Sequence, residues 1–180
     1  NGVTIANHQN VLLELNGKVL SCNTNSPGNF AIITNKGILT IQDNTDVNYD
    51  GSGTGKITTI AYDPDMEPVP GYATNTITNY GKVTIKSGFI ESGSLGSASF
   101  AIDCQAENVE WNKPSYGFDE SKVELYIEGG KVKANTSNSI RQYLKTNGTC
   151  DNIIEITGGI VYRLWVQDNT SATAAKGSLI

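Results

Sequence analysis

Five segments of the chain share one arrangement of apolar and polar positions. Each is an apolar-x-apolar run, one or more polar residues or a glycine, then glycine and a second alternating run. They are Leu13-Glu14-Leu15-Asn16-Gly17-Lys18-Val19-Leu20, Ile33-Thr34-Asn35-Lys36-Gly37-Ile38-Leu39-Thr40-Ile41, Ile77-Thr78-Asn79-Tyr80-Gly81-Lys82-Val83-Thr84-Ile85, Leu125-Tyr126-Ile127-Glu128-Gly129-Gly130-Lys131-Val132 and Ile154-Glu155-Ile156-Thr157-Gly158-Gly159-Ile160-Val161. Period-2 alternation predicts short half-buried strands, with Gly and Asn supplying the sharp bends between them. The second and third segments read Ile-Thr-Asn-x-Gly-x-x-Thr-Ile in both.

Similarity between segments separates two all-β architectures. A β-sandwich or jelly roll also gives many short strands with frequent turns, but it has no need of repeated sequence. Stacked turns do, because each alternating run has an apolar face too small to be stable alone, and stacking pools those faces into one core. The expected fold is therefore all-β, a parallel β-helix, with the sandwich or jelly roll as the alternative. Steps between the shared glycines are 20, 44, 49 and 29 residues. With turns of roughly 20–25 residues, the long steps hold two turns or an inserted loop. Lys56-Ile57-Thr58-Thr59-Ile60-Ala61-Tyr62 and Phe100-Ala101-Ile102-Asp103-Cys104 are the candidate intermediate strands. Asn and Thr at equivalent positions are expected to form hydrogen-bonded ladders between turns.

The phrases Leu13-Glu14-Leu15-Asn16-Gly17-Lys18, Ile38-Leu39-Thr40-Ile41 and Lys82-Val83-Thr84-Ile85-Lys86-Ser87-Gly88 resemble the repeats of right-handed parallel β-helix domains. Such domains occur in bacterial surface proteins and in phage fibres, tailspikes and head appendages. The likeness is discontinuous over residues 10–166. It implies an elongated, often trimeric, exterior module for attachment or stabilisation, and it carries no active-site residues with it.

Composition narrows the function further. Only 17% of the 180 residues are charged, with a net charge of −5 and no basic stripe interleaved with aromatics, so nucleic acid is an unsuitable partner. No apolar run reaches the ~20 residues that span a bilayer, so membrane insertion is not expected. Cys22, Cys104 and Cys150 form no CxxC pair and read as small buried hydrophobes. Residues 1–180 read as one repeat domain, part of a longer chain or assembly.

Three stretches carry candidate chemistry. In Asp46-Val47-Asn48-Tyr49-Asp50-Gly51, the residues Asp46, Asn48 and Asp50 fit the first half of a calcium loop. Ile57 stands where the closing Glu belongs, so an Asx- and Gly-rich turn competes with a structural calcium site. Trp111, Tyr116, Asp119 and Glu120 combine aromatic platforms with carboxylates and are the candidate carbohydrate contacts, to which Tyr143 and Tyr162 would add. The proline-rich loop at 63–72 is a candidate contact with a partner or neighbouring subunit. Catalysis has little to draw on, with one histidine (His8), arginine only at Arg141 and Arg163, and scattered acids.

The expectation is a non-enzymatic structural or attachment module on a virion exterior or a cell surface. A phage capsid decoration, head fibre or tail fibre is favoured over a bacterial adhesin. The partners would be further copies of the chain, as in a trimer, or other virion or surface proteins. A glycan-binding or glycan-cleaving β-helix is the alternative.

Overall fold

A computed structural model describes residues 2–23, 30–60, 74–94, 98–106, 122–144, 151–168 and 177–179. Among them are seventeen strands and no helix, and every pairing between strands is parallel. The strands form three sheets, with successive strands of the chain visiting the three in rotation. The molecule is a parallel β-helix.

The first turn is β1 (Val3–Ile5), β2 (Asn10–Glu14) and β3 (Val19–Asn23). The second is β4 (Phe30–Asn35), β5 (Ile38–Gln42) and β6 (Lys56–Ile60). The third is β7 (Thr74–Asn79), β8 (Lys82–Ile85) and β9 (Phe89–Ser92). The fourth is β10 (Ile102–Ala106), β11 (Lys122–Ile127) and β12 (Lys131–Ala134). The fifth is β13 (Ile140–Leu144), β14 (Asp151–Ile156) and β15 (Ile160–Val161), and β16 (Leu164–Asp168) with β17 (Gly177–Leu179) begins a sixth.

Register follows the apolar pattern. Val3, Ile33, Ile77, Ile102, Ile140 and Leu164 stand above one another in the first sheet. Val11, Leu39, Val83, Leu125 and Ile154 do so in the second, and Leu20, Ile57, Ile90, Val132 and Val161 in the third. A one-residue slip would turn each column outward, so burial enforces the pairing. Leu39, Ile57, Ile77, Ile90, Leu125 and Ile140 are completely buried. Each such side chain stabilises the fold by about 1.5–3 kcal/mol. Columns lose their cover at the first turn, where Val3 and Leu20 remain exposed.

The five glycine motifs occupy two different corners. Gly37 and Gly81 lie between the first and second sheets, whereas Gly17, Gly130 and Gly159 lie between the second and third. Their spacings therefore mix two series. Counted within the first column, the steps are 30, 44, 25, 38 and 24 residues, so the longer ones are single turns with inserted loops. The predicted intermediate strands are β6 and β10.

Glycine also serves a different purpose at each corner. Gly17 and Gly130 have φ of 74° and 78°, the left-handed conformation expected of a sharp bend. Gly37 and Gly81 are not in that region. A Cβ on Gly81 would fall on the Gly37 carbonyl oxygen, so close stacking of backbones selects glycine there.

Candidate functional site

At the corner between the first and second sheets, two fully buried asparagines stack. Asn35 Nδ2 donates to Asn79 Oδ1 at 2.8 Å, and also to the carbonyls of Gly37 and Lys82. Asn79 repeats the pattern one turn on, donating to Glu124 O at 3.0 Å while its Oδ1 accepts from Gly81 N at 3.1 Å. The ladder stops at Cys104, the next residue in register, whose Sγ lies 3.8 Å from Asn79 Nδ2. Burial, partly offset by the Asn79 hydrogen bond, pushes the Cys104 thiol up to about 12, with the Asp103 charge adding to the rise. It stays a neutral, unreactive thiol.

The corner between the second and third sheets carries a longer device, the loop at 43–55. Asp43 and Asp46 are both buried at its base. Asp43 accepts from Gly17 N of the first turn and Gly55 N of the second, each at 2.8 Å, and from the Thr45 hydroxyl at 2.7 Å. Its main chain is clasped by Ser87 of the third turn, which accepts from Asp43 N and donates to Asp43 O. Burial raises the Asp43 pKa, but the bonds from Thr45, Gly17 and Gly55 outweigh it and hold the carboxyl below its usual range. Asp46 accepts from Asp50 N at 3.2 Å, Gly51 N at 2.9 Å and, one turn on, Gly88 N at 2.8 Å. The tip reaches the fourth turn, where Gly130 N donates to Tyr49 O at 2.6 Å. One loop thus pins four consecutive turns.

Tyr49 has φ of 56°. For a bulky L-residue this conformation costs roughly 1–2 kcal/mol. Tyr49 and Val47 are nevertheless exposed, by 60% and 75%. Beside them is a recess of about 380 Å3 lined by Gln42, Asp43, Asn44, Asp46, Val47, Tyr49, Lys86 and Ser87.

These positions bear directly on the sequence-predicted metal loop. The Asp46 carboxylate is directed at three backbone N–H donors, Asn48 is exposed, and Asp50 accepts from Ser52 N at 2.9 Å. Among the described residues, no three His, Cys, Asp or Glu side chains gather in a group that could hold a metal ion. The arrangement binds peptide N–H groups, as the Asx-turn reading of this stretch expects. Trp111, Tyr116, Asp119 and Glu120 lie outside the described residues, as do Cys150 and the loop at 63–72.

A further cluster escaped sequence reasoning. Asp103, wholly buried, accepts both Nε and Nη2 of Arg141 at 2.7 Å, Asn75 Nδ2 at 3.0 Å and Gln105 Nε2 at 2.6 Å. The Arg141 guanidinium lies 4.4 Å from the Phe100 ring centroid and 4.9 Å from that of Tyr143, and Trp165 packs on Phe100 with centroids 6.0 Å apart. Asp103 and Arg141 are partners in register. Their 38-residue separation hides this in a linear sequence, and only the true turn lengths would have exposed it. Asp103 and Arg141 satisfy each other in a charged, bidentate pair, a locking rather than a reactive arrangement.

The fold and its pinned corners define a β-solenoid. Comparison with protein-family models, with curated proteins and with solved structures gives no match in any of the three.

Proposed function

We propose that this chain is a non-enzymatic structural and attachment module on the exterior of a particle or cell. A phage capsid decoration or fibre segment is the first assignment, and a bacterial surface adhesin the second. One observation carries the reading: an in-register stack of parallel strands whose successive turns are tied by buried side-chain pins. Six rungs at about 4.8 Å each span roughly 24 Å of axis, and pins crossing up to four turns resist bending and local fraying. Such a body holds loops at a fixed distance from whatever anchors it.

Its ends suit an assembly. Val3, Leu12, Val19 and Leu20 in the first turn and Ile160, Tyr162, Trp165 and Val166 in the last two are exposed apolar side chains. Stacked strand edges with apolar columns favour a cap, a further domain or another copy. A homo-oligomer, in the simplest case a trimer, or other virion or surface proteins are the proposed partners.

Immunogold electron microscopy of the source's particles and cells, with antibody raised against the folded chain, tests the assignment. Label on the outer surface of particles or cells is expected. Label confined to the cell interior would remove the exterior role.

A further inference from the structure

We infer that the recess beside Tyr49 is a saccharide site, taking a single carboxylate-bearing pyranose residue of a surface polysaccharide. The inference rests on the attachment reading and supplies its ligand. At Tyr49 the residue and its conformation are mismatched. The loop's hydrogen bonds use the Tyr49 main chain, whose N–H donates to Asp46 O at 3.2 Å and whose carbonyl receives Gly130 N, and a glycine or asparagine would present both groups at φ of 56° with less strain. The ring contributes nothing to those bonds, and the residue stands 60% exposed. Strain of this kind gathers where a side chain is held ready for a ligand.

The surroundings fit a sugar. A pyranose has an apolar C–H face, suited to lie on an aromatic ring, and a rim of hydroxyls that need amide and carboxylate partners. The Tyr49 ring offers the first. Asn44, exposed, and the Gln42 amide, which donates to Glu14 Oε2 at 2.6 Å, offer the second. Lys86 is the cation of the lining; it is exposed and has no ion pair among the described residues. Asp43 and Asp46 are buried with their oxygens on backbone donors, which fills their acceptor sites without removing their charge, and Lys86 is the exposed charged side chain of the lining that a sugar carboxylate would meet. A recess of about 380 Å3 is within the range of small-ligand sites, and its walls are fixed by the same bonds that pin the turns.

The test is an amide NMR titration of the full chain with methyl glucuronide and methyl glucoside as probes. Saturable shifts confined to residues around 42–49 and 86–88 are expected, at roughly millimolar affinity. The glucuronide should bind roughly two- to fivefold more tightly at low salt, and Lys86→Gln should abolish that preference. Tyr49→Gly should lose the shifts while melting at or above the wild-type temperature, because the backbone strain is relieved. Tyr49→Asn, tolerant of the same φ, serves if the glycine variant does not fold. Absence of shifts with both sugars, or shifts that survive in Tyr49→Gly, would overturn the site. Exterior labelling without sugar binding sinks this site and leaves attachment standing, whereas sugar binding by a chain found only inside cells does the reverse.

Discussion

The two corners of this solenoid solve one problem with different chemistry. Both must satisfy backbone groups left over where a strand ends inside a stack. At the first corner, neutral Asn35 and Asn79 each serve as donor and acceptor, so one side chain satisfies an N–H of its own turn and a carbonyl of the next. Each asparagine reaches one turn, and the device works only where the corner is tight. Lys36 and Gly37 alone separate β4 from β5, and Tyr80 and Gly81 alone separate β7 from β8. Where β10 continues to Ala106, the register position is Cys104 and the ladder ends. At the second corner, aspartates accept only, and every donor they meet is an N–H or hydroxyl. Acceptance alone needs N–H groups brought from several turns, which is why a loop of 13 residues is spent there. Amide pins are local and indifferent to pH, whereas carboxylate pins reach further and are titratable.

The largest effect should come from breaking the amide ladder. Asn79→Ala strands Gly81 N and the Glu124 carbonyl in a fully buried place and opens a cavity between stacked backbones. At about 1–3 kcal/mol per unsatisfied group, we expect a loss of about 3–5 kcal/mol in chemical denaturation. Asp46→Ala should cost less, about 2–4 kcal/mol, because its loop faces solvent and water can reach Gly51 N once the carboxylate is gone. It should also let protease cut within 43–55 before the solenoid unfolds, which Asn79→Ala should not. Four residues of β8 part the two corners, roughly 13 Å of strand. The double variant should therefore equal the sum of the singles within about 0.5 kcal/mol. A larger discrepancy would mean that the corners are one unit.

How much of this was legible follows from the same contrast. The strands on either side of Gly37 and Gly81 were readable because a tight corner keeps both halves of the repeat adjacent in sequence, as Ile-Thr-Asn-x-Gly-x-x-Thr-Ile. Parallel pairing and the isoleucine columns followed from that repetition. The stretch from Asp46 to Gly51 fitted both a calcium loop and an Asx-turn because the two draw on the same residues, Asp, Asn and Gly. Sequence shows which oxygens are available, but their N–H partners at Gly17 and Gly88 lie 26 residues before Asp43 and 42 after Asp46. The Asp103–Arg141 pair was hidden for a related reason: insertions of uneven length erase the period that would align them.

Acid separates the corners without mutation. The Asp43 carboxyl is held below its usual range in the folded chain, so its ionised form adds stability above the unfolded value of about 3.9. That contribution disappears as pH falls through the lower, folded value. Melting temperature should therefore drop below about pH 3.9. Asp43→Asn, less stable than wild type at neutral pH, should fall less steeply over the same window. Asn79→Ala should keep the wild-type slope, since no amide titrates. Equal slopes in all three proteins would show that Asp43 does not carry the acid sensitivity.

Calcium should give the smallest effect, and its size decides what the second corner is built to hold. An ion drawing on Asp46 would displace Gly51 N and Gly88 N, which then need other acceptors in a buried corner. Ile57, at the position of the missing closing ligand, is fully buried in the core column of the third sheet and supplies no oxygen from its side chain. Binding would therefore exchange two charge-assisted hydrogen bonds for an incomplete ligand shell, with Asn48 and Asp50 recruited from the loop surface. Millimolar calcium should accordingly move the melting temperature by no more than about 1 °C, against the roughly 5–11 °C expected from a ligand at 100 times its Kd. A larger rise, lost in Asp46→Ala and retained in Asn79→Ala, would make the second corner a metal site and its N–H bonds the resting state of that site.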